Sequence, residues 1–265
     1  MTAAVKQNLY SVKIGAYKAQ MAKKPGNART ISRTAPTRAA SSARGRRKPG
    51  APRSAGAGEE APYHHGALRD ALLEAAERVL ERDGLAGLTL RAVAREAGVS
   101  HAAPTHHFGD LTGLVSELAA IGFRQFNTAM LAAGSAAGPV LMEKALARAK
   151  AYVAYAQAHP GMYGLMFRTE RLDMKRPALH EAAEASFAGL AGAIGASRQE
   201  QISETALSLD QAAAIARAWS LVHGFTMLLL DHRLCDILRR LPKGTDAETL
   251  LDAMLKSTIG RPPGP

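Results

Sequence analysis

From residue 66 onward, large apolar residues recur at the three- and four-residue spacing of a helix. Leu68, Leu72 and Val79 fall on one side of the first such stretch, and charged residues occupy its other faces. A helix with this pattern buries one face and exposes the other. The Asp83-Gly84 pair that follows is typical of a helix end, so the pattern predicts a first helix that stops there.

Two short helices are predicted next. Thr89 is placed to cap the second helix, whose inner face includes Val93, and Gly98 ends it. A tight turn then leads to Ser100, which we expect to cap a third helix that runs through His107. Two short helices joined by a tight turn match helix-turn-helix geometry, in which the second helix of the pair can enter the major groove of DNA.

The rest of the chain also has helical periodicity, with no alternating strand pattern and no internal repeat. Five further helical segments are expected, at residues 111–131, 140–158, around 177–194, 210–239 and 247–257. The predicted fold class is therefore all-α, with a three-helix head over residues 61–118 and a larger helical domain over residues 119–258.

The net charge of +11 is concentrated before this helical region. Residues 1–60 hold thirteen Lys and Arg but only two acids, whereas the rest of the chain is electrically balanced. Because residues 1–60 contain few large apolar side chains, we expect a disordered basic arm there, and a short disordered tail at residues 259–265. Two alternatives for the arm remain open, namely an organelle transit peptide and translation from Met21.

The composition argues against several classes of protein. The single cysteine, Cys235, excludes an intramolecular disulfide framework and a cysteine-rich zinc site, and it suits a reducing cytosol. Cys235 lies in an apolar helical stretch, where the expected role is to fill the core. No apolar run was found to reach the roughly 20 residues that a membrane span requires, so we expect a soluble, cytoplasmic protein without a membrane partner.

The sequence lacks the motifs of metal sites and of catalytic sites. The adjacent pairs His64-His65 and His106-His107 do not predict a metal site, because neighbours on a helix point about 100° apart. No nucleophile elbow, phosphate loop or dinucleotide fingerprint is found in the sequence. The sequence therefore predicts neither an enzyme nor a cofactor.

Several stretches resemble a known family when they are taken together. They are Tyr63-His64-His65-Gly66, Leu88-Thr89-Leu90-Arg91, the run from Ala97 to Pro104, and His107-Phe108. Over residues 62 to about 118 they resemble the N-terminal domain of TetR-family regulators. The stretch from Tyr152 to Phe167, with Trp219 and His223-Gly224, resembles the C-terminal domain of the TetR subfamily marked by Trp-His-Gly.

The resemblance implies that the head reads double-stranded operator DNA as a homodimer and that the C-terminal helices bind a small-molecule effector. Carried over position by position, the groove-facing residues of the recognition helix are His101, Ala102, Ala103 and His106. Thr89, Arg91 and Ser100 are placed to contact phosphates.

Two positions depart from the family pattern. The family usually carries Tyr where this chain has Thr105 and Lys where it has Leu111, and both usual residues contact phosphate. The segment from residue 62 to residue 115 holds five Arg against seven acids. We therefore expect the head alone to bind DNA weakly, and Arg46 and Arg47 of the basic arm to add affinity along phosphates or in the minor groove.

A set of aromatic and sulfur-containing side chains in the C-terminal domain has two interpretations, of which the more specific is an effector cavity. Trp219 and His223 would form one wall of it, joined by Tyr152, Tyr155, Met162, Tyr163, Met166 and Phe167. The more ordinary interpretation is an apolar core with a hydrogen-bonded buried histidine. The helix from residue 210 to residue 230 is apolar on most faces, so a dimer interface is expected to include it together with residues 247–255.

The leading functional hypothesis is a ligand-responsive transcription regulator, with family precedent favouring a repressor at a palindromic operator. The sequence does not distinguish a repressor from an activator. A second hypothesis is a helical ligand carrier or adaptor whose head has lost specific DNA recognition. An enzyme that uses the C-terminal cavity is the least favoured.

Overall fold

The computed structural model describes residues 65–203 and 206–259. The expected all-α class is confirmed, because this part of the chain contains helices and no strand. The basic arm with Arg46 and Arg47 lies outside the described residues, as do residues 260–265. The helices are α1 His65–Gly87, α2 Leu90–Glu96, α3 Ala103–Phe108, α4 Leu111–Ala136, α5 Leu141–Ala158, α6 Pro160–Met166, a 3-10 turn Thr169–Arg171, α7 Pro177–Arg198, α8 Leu209–Leu230, α9 Cys235–Leu238 and α10 Ala247–Ile259.

The first two helices largely follow the predicted boundaries. Helix α1 is interrupted at Gly84, where the backbone is non-helical (φ 68°, ψ −177°), and helical turns resume as far as Gly87. The predicted cap of α2 is confirmed, because the Thr89 hydroxyl accepts a hydrogen bond of 3.1 Å from the Ala92 N–H. Gly98 then turns the chain with φ of +69°, a conformation that costs a residue with a Cβ about 1 kcal/mol or more.

The predicted start of the third helix is wrong by two residues. Ala102, not Ser100, occupies the cap position of α3, and it has no side-chain cap hydrogen bond. The chain passes through a turn at residues 101–102 before the helix begins, so Ser100 contributes its carbonyl to the Ala103 N–H (3.0 Å) instead of its hydroxyl. The start of α3 is therefore stabilised by a backbone hydrogen bond and not by a side-chain cap.

Helix α4, with 26 residues, is the longest helix and packs against α5 and α7. Its buried side chains Leu114 and Leu118 share one hydrophobic core with Leu72 of α1 and Leu165 of α6. Helix α6 was not predicted, because it is only seven residues long and follows α5 after the single residue His159. Head and C-terminal helices are thus joined by α4, which crosses the boundary expected near residue 118.

The predicted helix over residues 210–239 is wrong in its last third. Helix α8 ends at Leu230, and His232 adopts the left-handed conformation (φ 57°), which breaks the helix before the short α9. Cys235 is exposed at the start of α9, so its expected role as core filler is wrong as well. A second core beneath this region joins Leu251 and Leu255 of α10 to neighbouring helices.

Helix α8 also corrects the expectation that no segment is apolar enough to span a membrane. By length and composition its 22 residues pass that test, with a mean hydropathy of 1.4, but only 22% of the window is buried within this chain. A single such helix is weak evidence for a membrane, because packed helices of soluble proteins have the same composition. The exposed apolar face of α8 is therefore explained below by a contact other than one with a membrane.

Candidate DNA-reading head and effector site

The outer face of the recognition helix α3 and the turn before it carry most of the predicted DNA contacts. His101, Ala102, Thr105 and His106 are all exposed. Ala103 is half-buried and packs against the core of the head, so it is less available to a groove than the other predicted residues. Pro104 and Phe108 lie on the buried face. The turn and the helix together thus present two imidazoles and small side chains outward, a surface that we call the reading face and that suits base edges and thymine methyl groups.

The predicted phosphate contacts lie beside this face. Arg91 is exposed on the first turn of α2, and Ser100 is exposed in the turn that precedes α3. Thr89 is exposed too, although its hydroxyl already accepts the capping hydrogen bond. Thr89 can still act as a donor toward a phosphate oxygen, because a hydroxyl has one proton in addition to its lone pairs.

A carboxylate of α2 links that helix to α1. Glu96 accepts hydrogen bonds from Arg78 (3.0 Å) and Arg82 (2.8 Å), which lie on successive turns of α1. These hydrogen bonds, that from Arg82 foremost, lower the pKa of Glu96, so it remains ionised. Both arginines are thereby paired within the head, which reduces the positive charge that it can offer to phosphate.

The two departures from the family pattern lie in different environments. Thr105 is exposed on the reading face. Leu111 is half-buried at the first residue of α4 and packs against the core of the head. An apolar contact thus replaces the phosphate contact expected of a lysine there.

A cluster of five rings lies in the C-terminal domain, and we call it the aromatic cluster. Within it, the Tyr152 hydroxyl lies 2.9 Å and the Tyr163 hydroxyl 2.8 Å from Nδ1 of His223, and the two hydroxyls are 3.2 Å apart. The rings of Phe167 and His223 have centroids 4.8 Å apart, and those of Trp219 and His223 5.9 Å apart. The cluster consists of Tyr152, Tyr163, Phe167, Trp219 and His223.

Burial keeps the titratable members of the aromatic cluster neutral. It lowers the pKa of His223, and no charged side chain contributes to that shift. Burial is likewise the main cause that raises the pKa values of Tyr152 and Tyr163. A neutral His223 with its proton on Nε2 offers Nδ1 as the acceptor for a tyrosine hydroxyl, and this tautomer is assigned from the hydrogen-bond network.

The other three predicted effector residues lie in the core. The Tyr155 hydroxyl donates to the Gly122 carbonyl oxygen of α4 (3.1 Å). Met162 and Met166 of α6 are each 1% exposed and pack toward Gly122 as well. These three side chains hold α4 against α5 and α6, directly behind the aromatic cluster.

Two family sequence models match the chain. The family described as "Bacterial regulatory proteins, tetR family" matches residues 72–118, which include the whole of α2 and α3. The family described as "Tetracyclin repressor-like, C-terminal domain" matches residues 145–258. The chain belongs to the TetR family. It is a DNA-binding transcription regulator with the helix-turn-helix of that family.

Solved structures resemble the chain over nearly their whole lengths. A protein of unknown function from Rhodococcus sp. RHA1 shares 31% sequence identity at a TM-score of 0.61, over 76% of this chain and 98% of that chain. A TetR family transcription regulator from Shewanella sp. PV-4 shares 19% identity at a TM-score of 0.52, over 72% of this chain and 97% of that one. FadR from Bacillus subtilis, a transcriptional regulator in complex with stearoyl-CoA, shares 16% identity at a TM-score of 0.52, over 72% and 97%. The last two show a common fold, and a comparison with curated proteins finds no match.

Two further features of this TetR-family chain were missed by sequence reasoning. Glu117 of α4 lies between Arg69 of α1, at 2.5 Å, and Arg176 before α7, at 3.3 Å. Arg69 also lies over the ring of Phe108 at the end of α3, 5.6 Å from its centroid. The recognition helix, α4 and the C-terminal domain are thus connected through the carboxylate of Glu117.

The second feature is Phe126 of α4, whose ring lies 4.9 Å from that of Tyr152 in the aromatic cluster.

Proposed function

We propose that this TetR-family regulator binds a palindromic operator as a homodimer, acts as a repressor, and releases DNA when a small effector reaches the aromatic cluster. The observation that carries the proposal is the exposed reading face of α3, with His101 and His106 outward, on a head braced by the ion pairs of Glu96. A helix held in this way can enter a major groove without reordering. We further propose that the chain belongs to the Trp-His-Gly subfamily, that it is a cytoplasmic protein and that it has no enzymatic activity.

The dimer is supported by an unpartnered stripe on α8. Leu209, Ala213, Ala216, Ser220 and Met227 recur at three-, four- and seven-residue spacing and are all exposed, Leu209 to 88% and Met227 to 41%. Small residues at the centre of such a stripe let two helix backbones approach closely, which suits a two-fold contact between copies.

Helix α10 has a smaller part in this proposal than its sequence suggests. Leu251 and Leu255 are turned into the core of their own chain, with 1% and 6% exposure. Only the outer face of α10 is left for a second copy. Ala216→Glu on α8 is therefore expected to yield monomers in analytical ultracentrifugation, whereas Ala132→Glu, at an exposed position of α4, is expected to leave the dimer intact.

The basic arm, with Arg46 and Arg47, is proposed to add electrostatic affinity. The described head offers little positive charge, since Arg78 and Arg82 are paired with Glu96 and Arg69 with Glu117. Basic arms of this composition bind phosphates or the minor groove and make affinity depend steeply on salt.

The test compares binding of the full-length protein to its own upstream intergenic DNA and to scrambled DNA at several salt concentrations. A preference of about 10³-fold or more, the low end for specific binders, supports the operator-binding function. His101→Ala with His106→Ala is expected to abolish most of that preference, whereas His180→Ala, an exposed histidine on α7, is the matched control. Equal, steeply salt-dependent binding of both DNAs would instead favour an adaptor whose head no longer recognises sequence.

A further inference from the structure

We infer that the aromatic cluster selects an uncharged ligand, with an aromatic or bulky apolar body and one hydroxyl or carbonyl group that joins the hydrogen bonds of Tyr152, Tyr163 and His223. The inference rests on the proposed effector role of the cluster and narrows it to a chemical class. It follows from the charges, hydrogen bonds and exposure of the cluster itself.

The cluster holds no compensating charge for an ionic ligand. None of the ion pairs in the described chain includes one of its five residues. Arg168 and Arg217, which are close to it in sequence, are exposed, and Arg168 pairs with Glu170 at 3.8 Å. An ion moved into such a site loses its hydration without gaining a partner, which is strongly unfavourable.

Two tyrosine hydroxyls of the cluster compete for one acceptor nitrogen. Two hydroxyls, of Tyr152 and Tyr163, lie within 2.9 Å of Nδ1 of His223, which has a single lone pair in the ring plane. Only one hydroxyl can donate well to that nitrogen, so the other donates across the 3.2 Å contact between the two oxygens or, from Tyr163, to the hydroxyl oxygen of Thr226. A ligand oxygen placed beside the two hydroxyls gives them a further acceptor.

Trp219 is the part of the cluster that a ligand must move. Its side chain is 48% exposed, whereas Tyr163 is 1% exposed beneath it. Ring centroids within the cluster lie 4.8 to 6.4 Å apart, which is the spacing of rings in contact. A ligand therefore enters by displacing the Trp219 indole and takes over its contacts with Phe167 and His223.

The experiment uses Trp219 as the reporter, because it is the single tryptophan of the chain. The full-length protein, without DNA, is titrated with four probes of similar shape while indole fluorescence is followed. They are para-tert-butylphenol, para-tert-butyltoluene, para-tert-butylbenzoate and para-tert-butylbenzylammonium. We expect the phenol to bind at least about tenfold more tightly than either ion, and the toluene to fall between them.

The hydroxyl variants connect the preference to the cluster. Tyr152→Phe and Tyr163→Phe are each expected to weaken binding of the phenol by about fivefold and to leave the toluene unchanged. Tyr155→Phe, whose lost hydroxyl bonds Gly122 behind the cluster, is the control and should preserve the phenol affinity. Circular dichroism confirms that each variant is folded before it is titrated.

Three results would overturn the inference. They are binding of either ion as tight as that of the phenol, an unchanged phenol affinity in both tyrosine variants, and a Trp219 signal that responds to no probe. Because the titration contains no DNA, these results are independent of operator binding. A chain that binds the phenol but no operator would instead contradict the proposed regulatory function and retain the ligand class.

Discussion

The carboxylate of Glu117 on α4 lies 2.5 Å from the guanidinium of Arg69 on α1. Glu117 is only 13% exposed in its side chain, and its second oxygen lies 3.3 Å from Arg176 of the C-terminal domain. One step along the helix, the buried Ser116 hydroxyl accepts a hydrogen bond from the Asp173 N–H (2.9 Å). The loop before α7 is thus attached to α4 where α4 meets the head.

Glu117→Gln tests this attachment. The substitution removes the charge shared by two arginines while preserving size, and we expect the free energy of unfolding to fall by about 1 kcal/mol, since Arg69 and Arg176 remain partly exposed. We also expect an effector to release the variant from operator DNA less completely. Urea unfolding and operator binding with and without effector measure the two effects.

Glu184→Gln is the matched control, because Glu184 is an exposed carboxylate of α7 beyond its first turn and outside the described ion pairs. It should change neither quantity. Equal responses of the two variants would mean that Glu117 contributes only to surface charge.

Stability should depend on the protonation of His223. Burial lowers its pKa below the ordinary value of 6.5, so the unfolded chain binds this proton more readily than the folded one. The contribution of His223 to folding is complete above pH 6.5 and is lost as the pH falls toward the lowered pKa. The free energy of unfolding should therefore decrease as the pH is lowered from about 7.5 to about 5.5.

His223→Asn isolates this contribution, because asparagine places an acceptor near the position of Nδ1 and does not take up a proton. In urea unfolding, the variant should lose less stability than the wild type over the same pH range. His180→Asn, at an exposed position, should behave like the wild type. Parallel pH curves for all three proteins would contradict the prediction.

Restoring the family residue at Thr105 should strengthen DNA binding. Thr105→Tyr adds a phenol hydroxyl on the exposed face of α3, and we expect about fivefold tighter binding to any DNA through one more phosphate contact. The salt dependence should remain the same, because the added group is neutral. Electrophoretic or fluorescence titration measures both, and Thr128→Tyr on the exposed side of α4 should have no effect.

Arg46→Ala with Arg47→Ala tests the proposed role of the basic arm. If both side chains neutralise phosphates, the slope of log affinity against log salt should become shallower by about 2. Arg29→Ala with Arg33→Ala removes the same charge elsewhere in the arm and should have a smaller effect. An unchanged slope in the first variant would reject the arm as a source of affinity.

Local signals were predictable from the sequence, and contacts between distant residues were not. The cap at Thr89 and the turn at Gly98 depend on two or three neighbouring residues, so the sequence pattern located both. Ser100 was misplaced because a turn at residues 101–102 looks like a first helical turn in sequence. The end of α8 was missed because His232 takes a left-handed backbone conformation that residues other than glycine adopt only occasionally.

The candidate sites show the same division. Trp219 and His223 were paired correctly because four residues on one helix separate them. Glu117 meets Arg69 across 48 residues and Arg176 across 59, and no spacing rule connects such positions. Tyr155, Met162 and Met166 share the apolar character of the aromatic cluster, and only the packing places them behind it.

Gly113 allows the first turn of α4 to pack directly against the end of α3. A Cβ at Gly113 would lie 2.0 Å from the Phe108 carbonyl oxygen, so the end of α3 is pressed against the first turn of α4, and only Gly109 and Asp110 link the two. The 26 residues of α4 form a rod about 39 Å long. If α4 tilts by about 5° about its far end, the reading face moves by about 3 Å, which is the length of a hydrogen bond to a base edge. A tilt of this size would break the contact with an operator and leave every helix intact.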